Sequence, residues 1–208
     1  MTASSGRRVV VVRTGSANLA SVRAALLRAG AEVEFSDRPD AVRSARSVVL
    51  PGVGAFAAAM VSLAERGLVA PLRERVRDGR PTMGICLGMQ LFFEASEESP
   101  GVDGLSIVSG TATRFGAAVR VPQLGWNQVV PGPGCKLLTE GWAYYANSYR
   151  VGHVTEPWHA ALTDYDGPFV AAIERGPVLA CQFHPELSGR WGAALIERWL
   201  AAGEEASC

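Results

Sequence analysis

Up to Glu98, apolar positions fall in short unbroken runs separated by helical stripes; beyond it they fall in shorter pieces crowded by turn residues. Val9-Val10-Val11-Val12 is continuous, as in a strand buried on both faces. Thr14-Gly15-Ser16-Ala17-Asn18 breaks it. Residues 19–29 then put Leu19, Val22, Leu26 and Leu27 on one stripe of a helix that Gly30 stops. Residues 31–35 predict a second strand and 47–50 a third, which runs into Pro51-Gly52-Val53-Gly54. Helices are expected over 55–65 and 69–78, followed by a strand over 82–85. Such alternation predicts an α/β fold, a doubly wound, mainly parallel sheet with flanking helices. Its active site belongs at the carboxyl ends of the strands.

After Glu98 come Ser99-Pro100-Gly101, Ser109-Gly110 and Pro131-Gly132-Pro133-Gly134, between β-rich pieces near 105–107, 118–121 and 142–145. This predicts an antiparallel β insertion over about 104–150. Residues 169–173 and 178–183 read as a hairpin turning at Arg175-Gly176, and a last helix spans 192–202 with a frayed tail from about 203. No repeat or low-complexity linker divides the sequence, so a single domain over 1–208 is expected.

Composition narrows the function. A hydrophobic fraction of 48% with zero formal net charge supports a full core. It argues against nucleic acid or an anionic membrane as the main partner. No apolar run reaches the ~18 residues of a membrane span, and the run after the polar start is too short for a signal peptide. The cysteines, Cys86, Cys135, Cys181 and Cys208, form no C-x-x-C pair. Neither zinc, a disulfide framework nor a cofactor is indicated, and a reducing cytoplasm is the expected location.

The chemistry centres on Gly84-Ile85-Cys86-Leu87-Gly88, where an apolar strand gives way to a helix-like Met89-Gln90-Leu91-Phe92-Phe93-Glu94. This is the cysteine counterpart of a nucleophile elbow. The glycines let strand and helix approach closely, and the helix N-terminus favours a thiolate at Cys86. A buried structural cysteine is the plain alternative. A nucleophile needs a base, and the base an orienting group. Cys181-Gln182-Phe183-His184-Pro185-Glu186 supplies both: on an extended segment His184 and Glu186 point to one face. The Pro51-Gly52-Val53-Gly54 loop is by itself no more than a turn after a strand. Beside a nucleophile, Gly52 or Val53 can offer one backbone N–H to an oxyanion and Leu87 a second.

Together, Pro51-Gly52-Val53-Gly54, Gly84 to Gln90 and Gln182-Phe183-His184-Pro185-Glu186 resemble the class I, triad-type glutamine amidotransferases. The resemblance implies glutamine hydrolysis through a glutamyl thioester. Cys86 would attack, His184 would shuttle the proton, Glu186 would orient it, and Gln90 with the backbone near Ser148 and Tyr149 would hold the glutamine. Within the class, the sequence is most similar to the glutaminase subunits of imidazole glycerol phosphate synthases of histidine biosynthesis. The pieces are Gly15-x-x-Asn18-Leu19-x-Ser21-Val22, Pro122-Gln123-Leu124-Gly125-Trp126-Asn127 and Asn147-Ser148-Tyr149. The implied partner is a (β/α)8 cyclase barrel, in a heterodimer, that receives ammonia by a sequestered route. It makes imidazole glycerol phosphate and aminoimidazole carboxamide ribotide.

The family's Asp-Tyr-Gly is here Arg13-Thr14-Gly15, its next glycine is Ala17, its His-Ser-Tyr begins with Asn147, and its lysine after His-Pro-Glu is Leu187. The departures at Arg13, Thr14, Ala17 and Leu187 lie in the shell expected to face the partner, to which Asn18, Trp126 and Tyr144 also belong. Trp126 reads either as core packing or as an interface anchor. A glutaminase feeding another ammonia-dependent synthase and a stand-alone cysteine hydrolase are the alternatives.

Overall fold

The computed structural model describes residues 7–13 and 18–205. Thr14 to Ala17, and Cys208, on which some of the above readings fall, lie outside the described residues.

The first half alternates as its pattern dictates. The order is β1 (Arg7–Val12), α1 (Leu19–Arg28), β2 (Ala31–Ser36), α2 (Pro39–Ser44), β3 (Ser47–Gly52), α3 (Phe56–Glu65), α4 (Val69–Arg77) and β4 (Thr82–Cys86). The short α2 is an addition to the elements that the sequence pattern predicts. It buries only Val42, so it carries no stripe to recognise. The Asn18 side chain caps α1 by accepting from the Ser21 N–H, and Gly30 closes the following turn at φ +81°.

The second half follows as α5 (Leu87–Gln90), β5 (Ala95–Ser96), β6 (Thr111–Arg114), β7 (Gln123–Pro131), β8 (Gly141–Asn147), β9 (Tyr149–Arg150), β10 (His159–Asp164), β11 (Pro168–Arg175), β12 (Val178–Cys181), a 3-10 turn (Pro185–Leu187) and α6 (Gly189–Glu205). Residues 105–107 are not a strand. Their N–H groups bond to the carbonyls of Leu91, Phe92 and Phe93. Residues 118–121 form turns ahead of β7. The helix α6 starts before residue 192 and continues past 203 to Glu205.

Among the described residues the main sheet has nine strands in the order β2-β1-β3-β4-β12-β11-β10-β7-β8. The pairs from β2 to β12 are parallel, and those from β12 to β8 antiparallel. The antiparallel portion is therefore continuous with the parallel one, and only β5, β6 and β9 form a separate small sheet. Alternate residues of β1 enter opposite cores: Val9 and Val11 pack with Leu26 of α1 and Trp199 of α6, while Val10 and Val12 pack with Val42, Phe56 and Leu72 of α2, α3 and α4. Burying a side chain of this size stabilises by about 1.5–3 kcal/mol. The two cores hold β3, β4 and β12 rigidly at the centre, where the candidate chemistry lies.

Candidate functional site

The elbow forms where β4 ends. Cys86 has φ 53° and ψ −109°, a conformation non-glycine residues avoid, at a cost of about 1–3 kcal/mol that the surrounding packing must hold. A Cβ on Gly88 would lie 1.9 Å from the Leu50 carbonyl oxygen, and one on Gly84 would lie 2.9 Å from the Gly88 oxygen. Only glycine fits at these contacts, as the sequence pattern implied.

The helix after the elbow is shorter than expected. Instead of continuing to Glu94, α5 ends at Gln90, with Leu91 as its cap. The carbonyls of Leu91, Phe92, Phe93 and Glu94 accept from the 104–108 segment rather than from a further turn. One turn carries little macrodipole. What it offers the sulfur is its first free N–H groups.

His184 and Glu186 do meet, though not on an extended segment. The 3-10 turn Pro185–Leu187 folds Glu186 back, and its Oε1 lies 2.8 Å from His184 Nδ1. Backbone bonds hold the turn: His184 N–H donates to the Tyr144 carbonyl and Leu187 N–H to the His184 carbonyl. The Ser188 hydroxyl also donates to the His184 carbonyl, at 2.6 Å. The pKa of His184 is pushed up to about 10. Burial, the largest single influence, disfavours the imidazolium; hydrogen bonds to Cys86 and Glu186, with the charges of both, outweigh it. A thiolate–imidazolium pair braced by a carboxylate is the arrangement a cysteine nucleophile requires.

Beside the sulfur lies a cleft of about 150 Å³ bordered by Val53, Cys86, Leu87, Gln90, Ser148 and Tyr149. Gly52 ends β3 level with Cys86, and Gly54 has φ +95°. A larger cavity of about 510 Å³ lies between β1, β2 and α2, by Arg8, Arg38 and Arg46. Its lining includes neither a cysteine nor a histidine, so the smaller cleft beside Cys86 is the candidate site.

Three side chains with no role assigned from the sequence pattern converge here. Glu98 borders the cleft, and its Oε2 accepts from the Phe56 N–H at 2.7 Å. Asn147 donates from Nδ2 to the Tyr149 carbonyl at 3.0 Å, while its buried Oδ1 has no hydrogen-bond partner among the described residues. Gln182 Nε2 lies 3.7 Å from Cys86 Sγ, and its Oε1 accepts from Gln90 Nε2 at 3.0 Å. Gln182 belongs to the Gln-Phe-His-Pro-Glu motif; Glu98, in a turn-rich segment, carries no signal in the sequence.

The residues expected to face a partner lie on neighbouring elements. Exposed Asn18 caps α1, which packs on the 3-10 turn bearing exposed Leu187; that turn touches β8. On the outward face of β7 and β8, Trp126 stacks edge-on against Tyr144 with ring centroids 6.1 Å apart. Trp126 is 51% exposed, which excludes its reading as core packing, and Leu124 and Trp142 at 57% extend the apolar face. Arg13 lies over the Phe35 ring. Among the described residues no cluster of His, Cys, Asp and Glu could hold a metal, and no helix is long and apolar enough to cross a membrane.

The class-I glutamine amidotransferase family profile matches residues 10–201. The chain is 42% identical over 196 residues to the imidazole glycerol phosphate synthase subunit HisH of Symbiobacterium thermophilum, covering 92% of each. It is 42% identical over 190 residues to the subunit of the same name from Thermus thermophilus, covering 91% of this chain and 94% of that one. In fold it is similar to a crystal structure of a glutamine amidotransferase, with a TM-score of 0.76 at 19% identity, covering 94% of this chain and 98% of that one. The structure of PurLQS from Thermotoga maritima has a chain that aligns with a TM-score of 0.70 at 14% identity, covering 97% of this chain and 99% of that one.

Proposed function

The chain belongs to the class-I glutamine amidotransferase family, and from that premise we propose that Cys86, His184 and Glu186 hydrolyse glutamine through a thioester on Cys86. The chain is the glutaminase subunit of an imidazole glycerol phosphate synthase, serving histidine biosynthesis. The observation that carries the residue assignment is the braced His184–Glu186 pair beside a cysteine on a strained elbow.

The arrangement supports the following steps. The Cys86 thiolate attacks the carboxamide carbon, and charge moves to the carboxamide oxygen. The N–H of Leu87 and one from Gly52 or Val53 receive that oxyanion, each donor lowering the barrier by about 3 kcal/mol. Collapse breaks the C–N bond, and the His184 imidazolium gives its proton to the departing nitrogen as ammonia leaves. His184, now neutral, deprotonates a water that attacks the thioester, releasing glutamate and returning the thiolate. Glu186 keeps the imidazole oriented and stabilises its charged form. In the cleft, Gln90 and the backbone at Ser148 and Tyr149 border the glutamine, and the Glu98 carboxylate suits its α-ammonium group.

The partner is a cyclase, read as a (β/α)8 barrel. The apolar face around Trp126 and Tyr144 supports docking there, with exposed Leu187 on the 3-10 turn that touches β8 and exposed Asn18 capping α1, which packs on that turn. Ammonia passed directly escapes protonation in solvent and remains a nucleophile. The products are imidazole glycerol phosphate and aminoimidazole carboxamide ribotide. The free thiols of Cys86, Cys135 and Cys181 suit a cytoplasmic location. Titrating the purified chain with its genomic cyclase and that enzyme's ribonucleotide ligand, while following glutamate release, tests the assembly. Weak hydrolysis alone that rises strongly with the partner is expected; full activity without it contradicts the partnership and favours a stand-alone hydrolase.

A further inference from the structure

Behind the nucleophile lies a row of buried amides whose direction one carbonyl fixes. The Tyr149 backbone oxygen can only accept. Gln90 Nε2 lies 3.3 Å from it, so Gln90 must present its NH2 group there. A second hydrogen of that NH2 faces Gln182 across 3.0 Å, so Gln182 must present its carbonyl oxygen to Gln90. Its own NH2 is then turned the other way, toward Cys86 Sγ at 3.7 Å. The orientation of Gln182 thus follows from its neighbours rather than from a choice between nitrogen and oxygen.

Gln182 is fully buried and Gln90 nearly so, which keeps water from replacing these bonds. The backbone N–H of Gln182 donates to the Ala171 carbonyl at 2.8 Å, which anchors the residue just past β12. A donor held in a dry environment against sulfur stabilises the thiolate over the thiol, because it interacts more strongly with the charged form.

We propose that Gln182 is a thiolate-holding residue: its side-chain amide donates to the ionised sulfur of Cys86, and Gln90 positions that amide in addition to bordering the substrate cleft. The inference rests on the reading of Cys86 as the nucleophile. The other charged or titratable groups around the sulfur are His184 with Glu186 behind it, and Glu98 and Tyr149 across the cleft. Unlike these groups, Gln182 is a neutral hydrogen-bond donor.

The test reads thiol reactivity rather than turnover. Alkylation of Cys86 by iodoacetamide, followed by peptide-resolved mass spectrometry across pH, tracks the thiolate fraction. Gln182→Met keeps the length of the side chain and removes the donor. The midpoint of the alkylation profile should rise by about one pH unit, a loss of roughly tenfold in rate below it. A folded Gln182→Met protein, judged by its Tm, with an unchanged profile overturns the proposal, since a merely structural role lowers Tm without moving the midpoint.

A second measurement needs no substitution at Gln182. In the wild-type protein its side-chain amide protons should shift by NMR as Cys86 ionises, and in Cys86→Ala that shift should vanish. An amide indifferent to Cys86 ionisation also overturns the proposal. If Cys86→Ala abolishes glutamine hydrolysis while the alkylation profile of Gln182→Met is unchanged, the Gln182 assignment alone fails. If Cys86→Ala still hydrolyses glutamine, the functional reading fails, whatever the profile shows.

Discussion

Gly52 and Cys86 end adjacent parallel strands in register, so the loop after β3 begins level with the sulfur. A Cβ on Gly52 would come within 2.8 Å of Leu87 Cβ and 3.0 Å of Gly88 N. Both contacts lie on the elbow itself. Gly52→Ala should therefore push the loop and the elbow apart, separating the two N–H donors assigned to the oxyanion. Glutamine hydrolysis in the complex should fall about a hundredfold, the effect of losing one such donor. Steady-state glutamate release with saturating partner checks this, and partner affinity measured alongside should change far less.

The raised pKa of His184 has a signed consequence. Its folded value, about 10, lies above the ordinary 6.5. The imidazolium thus contributes to stability fully below 6.5, and that contribution is lost as pH rises toward 10. Cys86→Ala removes one of the two partners that hold the pKa up. The His184 titration, followed by NMR, should then move to lower pH, and the fall in stability over this alkaline window should flatten. An unmoved His184 titration in Cys86→Ala would break the coupling between the two residues.

His184→Ala removes the group assigned to both proton transfers. Its loss should cost about a thousandfold in glutamate release, within the ~10²–10⁴ range of general acid–base catalysis. Glu186→Gln keeps a side chain able to hold the imidazole but removes the charge that favours the imidazolium, so it should be the less damaging of the two. Parallel rate measurements on both variants check the order.

Trp126 is a large exposed aromatic on the β7–β8 face, between exposed Leu124 and Trp142 and braced by Tyr144. A central aromatic anchor is worth about 2 kcal/mol or more at an interface, so Trp126→Ala should weaken cyclase binding by roughly thirtyfold. Calorimetric titration against the cyclase measures it.

The parallel core was legible because β1, β3 and β4 are buried on both faces and so read as unbroken apolar runs. The elbow was legible because its close approaches demand glycine at Gly84 and Gly88. The contact of His184 with Glu186 was read correctly from a two-residue spacing, but on the wrong backbone: a 3-10 turn, not a strand, brings them together. The truncation of α5 could not be read locally, because the 104–108 segment that takes its next carbonyls is distant in sequence. Glu98 and the orientation of Gln182 depend on the same kind of long-range convergence. No periodicity or spacing records which way an amide faces.

The most direct test of the account is glutamate release by Cys86→Ala in complex with the cyclase and its ribonucleotide ligand, beside the wild-type complex. The glycines, not the thiol, set the elbow's geometry, so the variant should fold and bind its partner. Hydrolysis at the uncatalysed background is the predicted result. Substantial turnover by a folded, partner-bound Cys86→Ala would contradict the assignment of Cys86 as the nucleophile.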